Sequence, residues 1–437
     1  MTSVRDTIFA LATAPGRAAL AVIRISGPAT RFVIETMSGA VPAPRRAALR
    51  AIRSGTGEIL DRGLVLWFPG PRSYTGEDSA EFQIHGGRAV ASVVLDALGS
   101  FPGCRFATPG EFARRALEAG RVDLVAVEGL ADLIDSETEG QRRQALRQME
   151  GLLSRTASDW KRRLIALMAR VEADLDFSDE GDVPEGLPAG FRTELEALEK
   201  EFRSAVADRR GEKLRDGVAV VIAGPPNAGK STLLNVLARR EAAIVSPYAG
   251  TTRDPVEVRL DFQGVPLLLI DTAGIRQTDD PVEMIGIERT LQRAGTADVG
   301  LWLLSADAAD EEPPIGPEWI RVRTKKDLGV ADDAGGLAVS AVTGEGMDGL
   351  VRQLGAIVSE KAGSGDSLIA RGRQREALTR ALAAMERARA EAVQVEPAVE
   401  LLAEELRLAA RALDALVGRV GVDDVLDRLF SDFCIGK

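Results

Sequence analysis

The segment Gly224-Pro225-Pro226-Asn227-Ala228-Gly229-Lys230-Ser231 constrains this chain more than any other. It reads G-x-x-x-x-G-K-S, and it stands between an apolar run, Val218–Ala223, and a helix-forming stretch over 231–239. In that strand–loop–helix setting the residue types have physical reasons. Glycines let backbone N–H groups approach phosphate oxygens, and the helix N-terminus adds partial positive charge. Lys230 neutralises the β- and γ-phosphates of a nucleotide, Ser231 ligates magnesium, and Thr232 follows in the same turn. A glycine-rich turn that binds nothing is the plain alternative, and the complete motif in its required context outweighs it.

The surroundings fit a parallel sheet. Val265–Ile270, Val299–Ser305 and Leu337–Ser340 are short apolar runs of the kind that form buried strands, and helical stretches separate most of them. The expected fold there is a doubly wound sheet. At 437 residues the chain exceeds a single core, and its other parts have a different texture. Residues 1–120 are rich in Gly and Pro, with strand-like runs at Ala21–Ile25 and Leu64–Phe68, and read as a mixed α/β domain. Leu146, Met149, Leu153, Thr156, Trp160, Leu164, Leu167, Val171 and Leu175 recur at helical spacing and predict one long amphipathic helix. A loop over 176–190 and a helix over 191–210 follow. Beyond 363–365 a second stripe appears at Leu402, Leu406, Ala409, Leu413, Leu416 and Val420. The expected division is therefore 1–120, a helical domain in two parts (121–212 and 366–437), and an inserted Ras-like P-loop domain at 213–365.

Composition excludes several classes. Hydrophobic residues make up 45% and charged residues 28%, as in ordinary folded protein. No apolar run approaches bilayer length and no signal-peptide pattern occupies the first residues, so a cytoplasmic protein without a membrane span is expected. Cys104 and Cys434 have no metal-type spacing. His85 is the one histidine, which excludes catalysis built on several. The net charge of −11 argues against non-specific coating of nucleic acid but leaves room for a local basic patch.

Further segments fall in the order a guanine-nucleotide site needs. Asp271-Thr272-Ala273-Gly274 ends a strand, where a carboxylate can hold magnesium through water and a glycine N–H can sense the γ-phosphate. Gly250-Thr251-Thr252-Arg253-Asp254 lies where a switch loop should, and Thr252 can supply a magnesium ligand. Thr324-Lys325-Lys326-Asp327 and Ser340-Ala341 resemble the base-reading motifs of translational and Ras-like GTPases. Asp327 would accept hydrogen bonds from guanine N1 and N2, which adenine does not present. Thr324 stands where asparagine is usual, a departure that weakens one polar contact. An ATPase is the alternative. Ras-type hydrolysis uses a glutamine soon after the Asp-x-x-Gly motif and an arginine finger. Here Ile275 cannot polarise water, and Arg253 and Arg276 are the candidate fingers.

Across nearly its whole length the chain resembles the MnmE (TrmE) family of tRNA-modification GTPases. The resemblance is carried by Asp6-Thr7-Ile8, Arg24-Ile25-Ser26-Gly27, Tyr74-Thr75-Gly76-Glu77-Asp78, His85-Gly86-Gly87, Pro109-Gly110-Glu111-Phe112, Asp132-Leu133-Ile134-Asp135 and the terminal Cys434-Ile435-Gly436-Lys437. It implies a homodimer whose N-terminal domain binds a tetrahydrofolate one-carbon donor (5-formyl- or 5,10-methylene-tetrahydrofolate) through Arg24, Glu81, Arg121 and Lys437. Arg121 stands where lysine is common. It implies a potassium ion in place of the arginine finger, held by Asn227, Ser246, Tyr248 and Thr251. Glu283 would position the hydrolytic water, so that Glu283, Lys230 and Thr252 carry hydrolysis. The implied reaction adds an aminomethyl-type group, carboxymethylaminomethyl, to C5 of the wobble uridine of tRNA. The implied partner is the flavoprotein MnmG (GidA), in a heterotetramer. The competing expectations are an Era-like ribosome-assembly GTPase and a pure signalling switch. Cys434 as nucleophile and His85 as catalyst are set aside in favour of structural roles.

Overall fold

The computed structural model describes residues 6–176, 187, 190–240, 242–243, 257–271, 295, 297–305, 312–313, 317–329, 337–395, 397–418, 429–430, 433 and 436. The chain forms two compact units, residues 1–131 with 417–437, and residues 132–416.

The first unit is built on a six-stranded sheet. Its elements are β1 (Thr7–Leu11), β2 (Leu20–Ser26), α1 (Thr30–Ser38), β3 (Ala48–Arg53), β4 (Ile59–Phe68), β5 (Ser79–His85), α2 (Arg88–Gly99), β6 (Cys104–Phe106) and α3 (Glu111–Glu118), and α4 (Leu124–Asp135) begins here. The strand order is β3-β4-β5-β2-β1-β6. Alternation along β2 and β5 sends Ile23, Ile25, Phe82 and Ile84 into a core with Val33, Ile34 and Met37 of α1 and Val94 and Leu98 of α2. The intervening Arg24 and Glu81, directly opposite each other across β2 and β5, therefore belong to the other face.

The second unit opens with α5 (Glu139–Met149), α6 (Leu152–Asp176), α7 (Phe191–Ala207) and α8 (Arg210–Asp216). Then come β7 (Val218–Ala223), α9 (Lys230–Arg240), β8 (Ala242–Ala243), β9 (Glu257–Phe262), β10 (Val265–Asp271), β11 (Val299–Ser305), β12 (Glu318–Thr324) and β13 (Leu337–Ala338). The unit closes with α10 (Met347–Ala362), α11 (Gly372–Ala392) and α12 (Val399–Val417). The sheet order is β13-β12-β11-β7-β10-β9-β8. The five strands from β13 to β10 are parallel, while β9 runs antiparallel to β10 and β8 antiparallel to β9. Parallel strands covered on both faces explain the near-continuous apolar runs of β7 and β11.

The single long helix expected from the stripe Leu146–Leu175 is two helices. Gly151 takes a left-handed φ of 85° between α5 and α6, a conformation that only glycine adopts at no cost. The stripe is also out of phase in α5, where Met149 is 36% exposed and the buried residues are Gln144, Ala145 and Gln148. That buried polar face has a purpose. The side-chain amide nitrogens of Gln141, Gln144 and Gln148 donate to Arg215 O (2.8 Å), Gly211 O (2.8 Å) and Leu368 O (2.7 Å), and Arg147 donates to Gly365 O at 2.9 Å. One helix thereby holds the backbone that leads into β7 and the backbone that follows α10. Asp132 reinforces it, with a carboxylate oxygen 2.8 Å from Arg215 Nε and 2.7 Å from an Arg371 guanidinium nitrogen. In α6 and α12 the stripes hold, with Leu153, Trp160, Leu164, Leu167 and Val171, and Leu402, Leu406, Ala409, Leu413 and Leu416, all buried.

Candidate nucleotide site and N-terminal pocket

The carboxyl ends of β7, β10, β11, β12 and β13 meet along one edge of the second sheet, where open α/β folds place their ligands. The chain leaves β7 through Gly224, whose φ is 145°, and a Cβ there would lie 2.2 Å from Leu303 O. Asn227 (φ 62°) and Gly229 (φ 85°) take left-handed conformations that curl the loop into α9. Ala228 is fully buried, while Ser231 and Thr232 are exposed in the first turn of the helix. Lys230 Nζ donates to Gly224 O at 2.8 Å and Pro225 O at 2.9 Å, so the side chain folds back over the loop. Asp271 ends β10 in register with Ile222 of β7, two residues before Gly224.

The segments Thr324–Asp327 and Ser340-Ala341 close the other side. Thr324, at the end of β12, is buried, and its hydroxyl donates to Ala228 O at 2.8 Å. Lys325 has a left-handed φ of 60°, which turns the chain so that Asp327 stands exposed in a 3-10 turn, Lys326–Leu328. Ser340 is fully buried, and its hydroxyl oxygen accepts from the Val342 and Thr343 N–H groups at 3.3 and 3.1 Å, fixing the loop that carries Ala341. An ion pair of 3.1 Å between Lys326 and Glu345 and a Lys326 N–H donated to Val339 O join these two segments. Asn227, Ala228, Gly229, Lys230, Ser231, Thr232, Thr324, Lys325, Asp327, Ser340 and Ala341 thus gather on one edge, with the Asp271 backbone beside them. Ser246, Tyr248, Thr251, Thr252, Arg253, Thr272, Ala273, Gly274, Ile275, Arg276, Glu283, Cys434 and Lys437 lie outside the described residues.

The first unit holds a second constellation. Arg24 donates to Glu81 Oε1 through Nε (3.3 Å) and a terminal nitrogen (3.2 Å), and both side chains are half-buried. Its guanidinium carbon lies 5.9 Å from the Tyr74 ring centroid and 5.8 Å from that of Phe112, within cation–π range. The loop bearing Tyr74 is pinned from below. Thr75 Oγ1 is 2.7 Å from Ser26 Oγ, and Glu77 accepts from Ser26 (3.0 Å) and from Arg115 (3.0 Å). Arg121 is exposed, and its stem runs beside Gly76, where a Cβ would be 3.7 Å from Arg121 Cγ. Burial alone would raise the Glu111 pKa, but hydrogen bonds from Arg105, the Thr108 N–H and Arg115 outweigh it and hold the carboxyl at about 2. The chain end reaches the same unit. Phe430 and Phe433 are buried against Ala113 and Val127, and Gly436 passes so close to β1 that a Cβ would meet Leu11 O at 2.4 Å. Leu11 pairs with Ile23, next to Arg24.

Arg115, Glu77 and Tyr74 were not among the residues assigned from sequence. The motif Tyr74-Thr75-Gly76-Glu77-Asp78 and the i, i+4 spacing of Glu111 and Arg115 were the signals available.

Residues 124–434 match the description MnmE helical domain, and residues 7–121 match GTP-binding protein TrmE N-terminus. The chain belongs to the MnmE family. Among its relatives, the tRNA modification GTPase MnmE of Methylobacterium sp. (strain 4-46) is 54% identical, with 99% of this chain and 100% of that protein covered. The tRNA modification GTPase MnmE of Methylorubrum populi is 53% identical, covering 99% of this chain and 98% of that protein. A solved structure of Aquifex aeolicus Era bound to GDP and aluminium fluoride covers 38% of this chain and 66% of its own, at 24% identity and a TM-score of 0.25.

Proposed function

We propose that this member of the MnmE family is a GTP-hydrolysing tRNA-modification enzyme. The observation that carries the reading is the convergence of the phosphate loop, Asp271, and the Thr324–Asp327 and Ser340-Ala341 segments on one sheet edge. The full-length likeness to proteins named tRNA modification GTPase supports the tRNA half. The donor set suits magnesium and a nucleoside triphosphate: an exposed hydroxyl at Ser231 in the first helical turn, and the Lys230 ammonium over the loop. Thr252 and Asp271 would complete the magnesium shell. Potassium, held by Asn227, Ser246, Tyr248 and Thr251, would supply the positive charge a finger gives elsewhere, with Glu283 positioning water.

The finer reading follows the family resemblance. The reaction would place a carboxymethylaminomethyl-type group on C5 of the wobble uridine, with a flavoprotein partner of the MnmG kind and the chain as a cytoplasmic homodimer. No described helix is long and apolar enough to cross a membrane. A carboxylate and a guanidinium beside two aromatic rings suit a flat heteroaromatic ligand with amino donors, which supports a tetrahydrofolate derivative at Arg24, Glu81, Arg121 and Lys437. The group, when bound, supplies the one-carbon unit. Arg24 and Glu81 would hold its polar edge, while Tyr74 and Phe112 flank the guanidinium. The division at 120, 212 and 365 belongs to the same proposal.

GTP turnover by the purified chain tests the nucleotide reading. Phosphate release should be faster in potassium than in sodium chloride, and Lys230→Ala should reduce it roughly a hundredfold or more. Equal rates in the two salts would remove the cation and return Arg253 to the role of finger. Turnover unaffected by Lys230→Ala would remove the site.

A further inference from the structure

Thr324 occupies the position where base-reading motifs of this type usually carry asparagine, and its surroundings define what the exchange does. Thr324 is 5% exposed. Its hydroxyl lies 2.8 Å from Ala228 O in the phosphate loop and 3.3 Å from Leu304 O of β11. A threonine hydroxyl carries one proton, and a carbonyl oxygen can only accept. Whichever carbonyl takes it, that proton is committed inside the protein and is not available to an acceptor on a purine ring. An asparagine amide has two protons, enough for the loop and a base at once.

The shorter bond acts on the peptide that joins Ala228 to Gly229. That peptide is planar and trans, so its C=O and N–H point in opposite directions. Holding Ala228 O against Thr324 therefore turns the Gly229 N–H away from Thr324. Gly229 faces Thr324, and a Cβ there would be 3.7 Å from Thr324 Oγ1.

We infer that Thr324 is a positioning residue that sets the orientation of the Gly229 N–H toward the nucleotide's phosphates and makes no donor contact to the base. The inference rests on the reading of 224–231 as the phosphate loop, and it makes the contribution of Thr324 independent of the base. Removing the hydroxyl with little change of shape, in Thr324→Val, leaves Ala228 O buried without its donor. Dissociation of GDP should then accelerate roughly tenfold. The acceleration should be the same for inosine diphosphate and for 7-deaza-GDP, and Thr324→Ser should bring the rates back to within about twofold.

Stopped-flow release of the three diphosphates from the full-length protein and both variants decides it. A loss confined to GDP, or unchanged release from Thr324→Val, would overturn the positioning role. The unaltered protein gives a second reading that does not depend on any variant folding. It should bind 7-deaza-GDP as tightly as GDP, since no Thr324 proton reaches the ring nitrogen, and markedly weaker binding of the deaza compound would overturn the inference. A protein that held none of the three nucleotides would instead refute the phosphate-loop reading itself.

Discussion

Asp327 stands exposed at the mouth of the nucleotide edge, on a turn that the left-handed Lys325 aims away from β12. A carboxylate there offers two acceptors to the N1 and N2 hydrogens of guanine. Asparagine would offer one acceptor and one donor, which suits xanthine, whose C2 carries an oxygen instead of an amino group. Asp327→Asn is therefore expected to lower kcat/KM for GTP by at least roughly a hundredfold and to raise that for xanthosine triphosphate. Turnover assays with the two nucleotides check it, and unchanged GTP kinetics with no xanthosine activity would contradict the assignment. The gathering of these residues on one edge was legible because each motif stands at a strand end. The hydroxyl contact of Thr324 was not. A threonine in an asparagine's place is visible in the sequence, but only the approach of β12 to the phosphate loop shows the Ala228 carbonyl taking its single proton.

Among the elements, α3 shows how a short motif can meet several demands at once. In Pro109-Gly110-Glu111-Phe112, Gly110 has a left-handed φ of 66° and leaves room for Phe430, whose ring a Cβ would strike at 2.5 Å. Phe112 enters the core with Ile8 and Ala10, and Glu111 gathers Arg105, Arg115 and the Thr108 N–H. Because the folded pKa of Glu111 is depressed, from 4.5 to about 2, its contribution is fully present above pH 4.5 and is lost as pH falls toward 2. Glu111→Gln should lower amide protection in α3 roughly tenfold at pH 6, and the gap between the two proteins should close as pH falls through that window. Hydrogen exchange of residues 105–118 measures it, and a gap that stays constant with pH would contradict the assignment. Element type was well read where the apolar pattern is unbroken, as in the near-continuous runs of β7 and β11 and the stripes of α6 and α12. It was missed in β9, where Arg259 interrupts the pattern beside buried Leu260, and the break between α5 and α6 was missed because the buried face of α5 is made of glutamines bonded to backbone.

At the scale of the whole molecule, the chain end belongs to the unit that contains the chain start. Phe430 and Phe433 pack with Ala113 and Val127, and Gly436 lies against β1. Deleting residues 434–437 should leave GTP affinity and helical content unchanged while weakening binding of 5-formyl-tetrahydrofolate by roughly tenfold or more, if Lys437 supplies a charged contact there. Calorimetric titration of the full-length and shortened proteins would show it, and equal folate affinity would remove Lys437 from the pocket. Both units contribute to one process in the proposed function, since GTP turnover at the sheet edge serves the modification of tRNA. Nucleoside analysis of bulk tRNA tests that coupling most directly, in cells lacking this gene and in the same cells carrying it intact or as Lys230→Ala. C5-modified wobble uridine should disappear on deletion, return with the intact gene, and fail to return with Lys230→Ala. Modified uridine at full level in the deletion strain, or full restoration by Lys230→Ala, would contradict it.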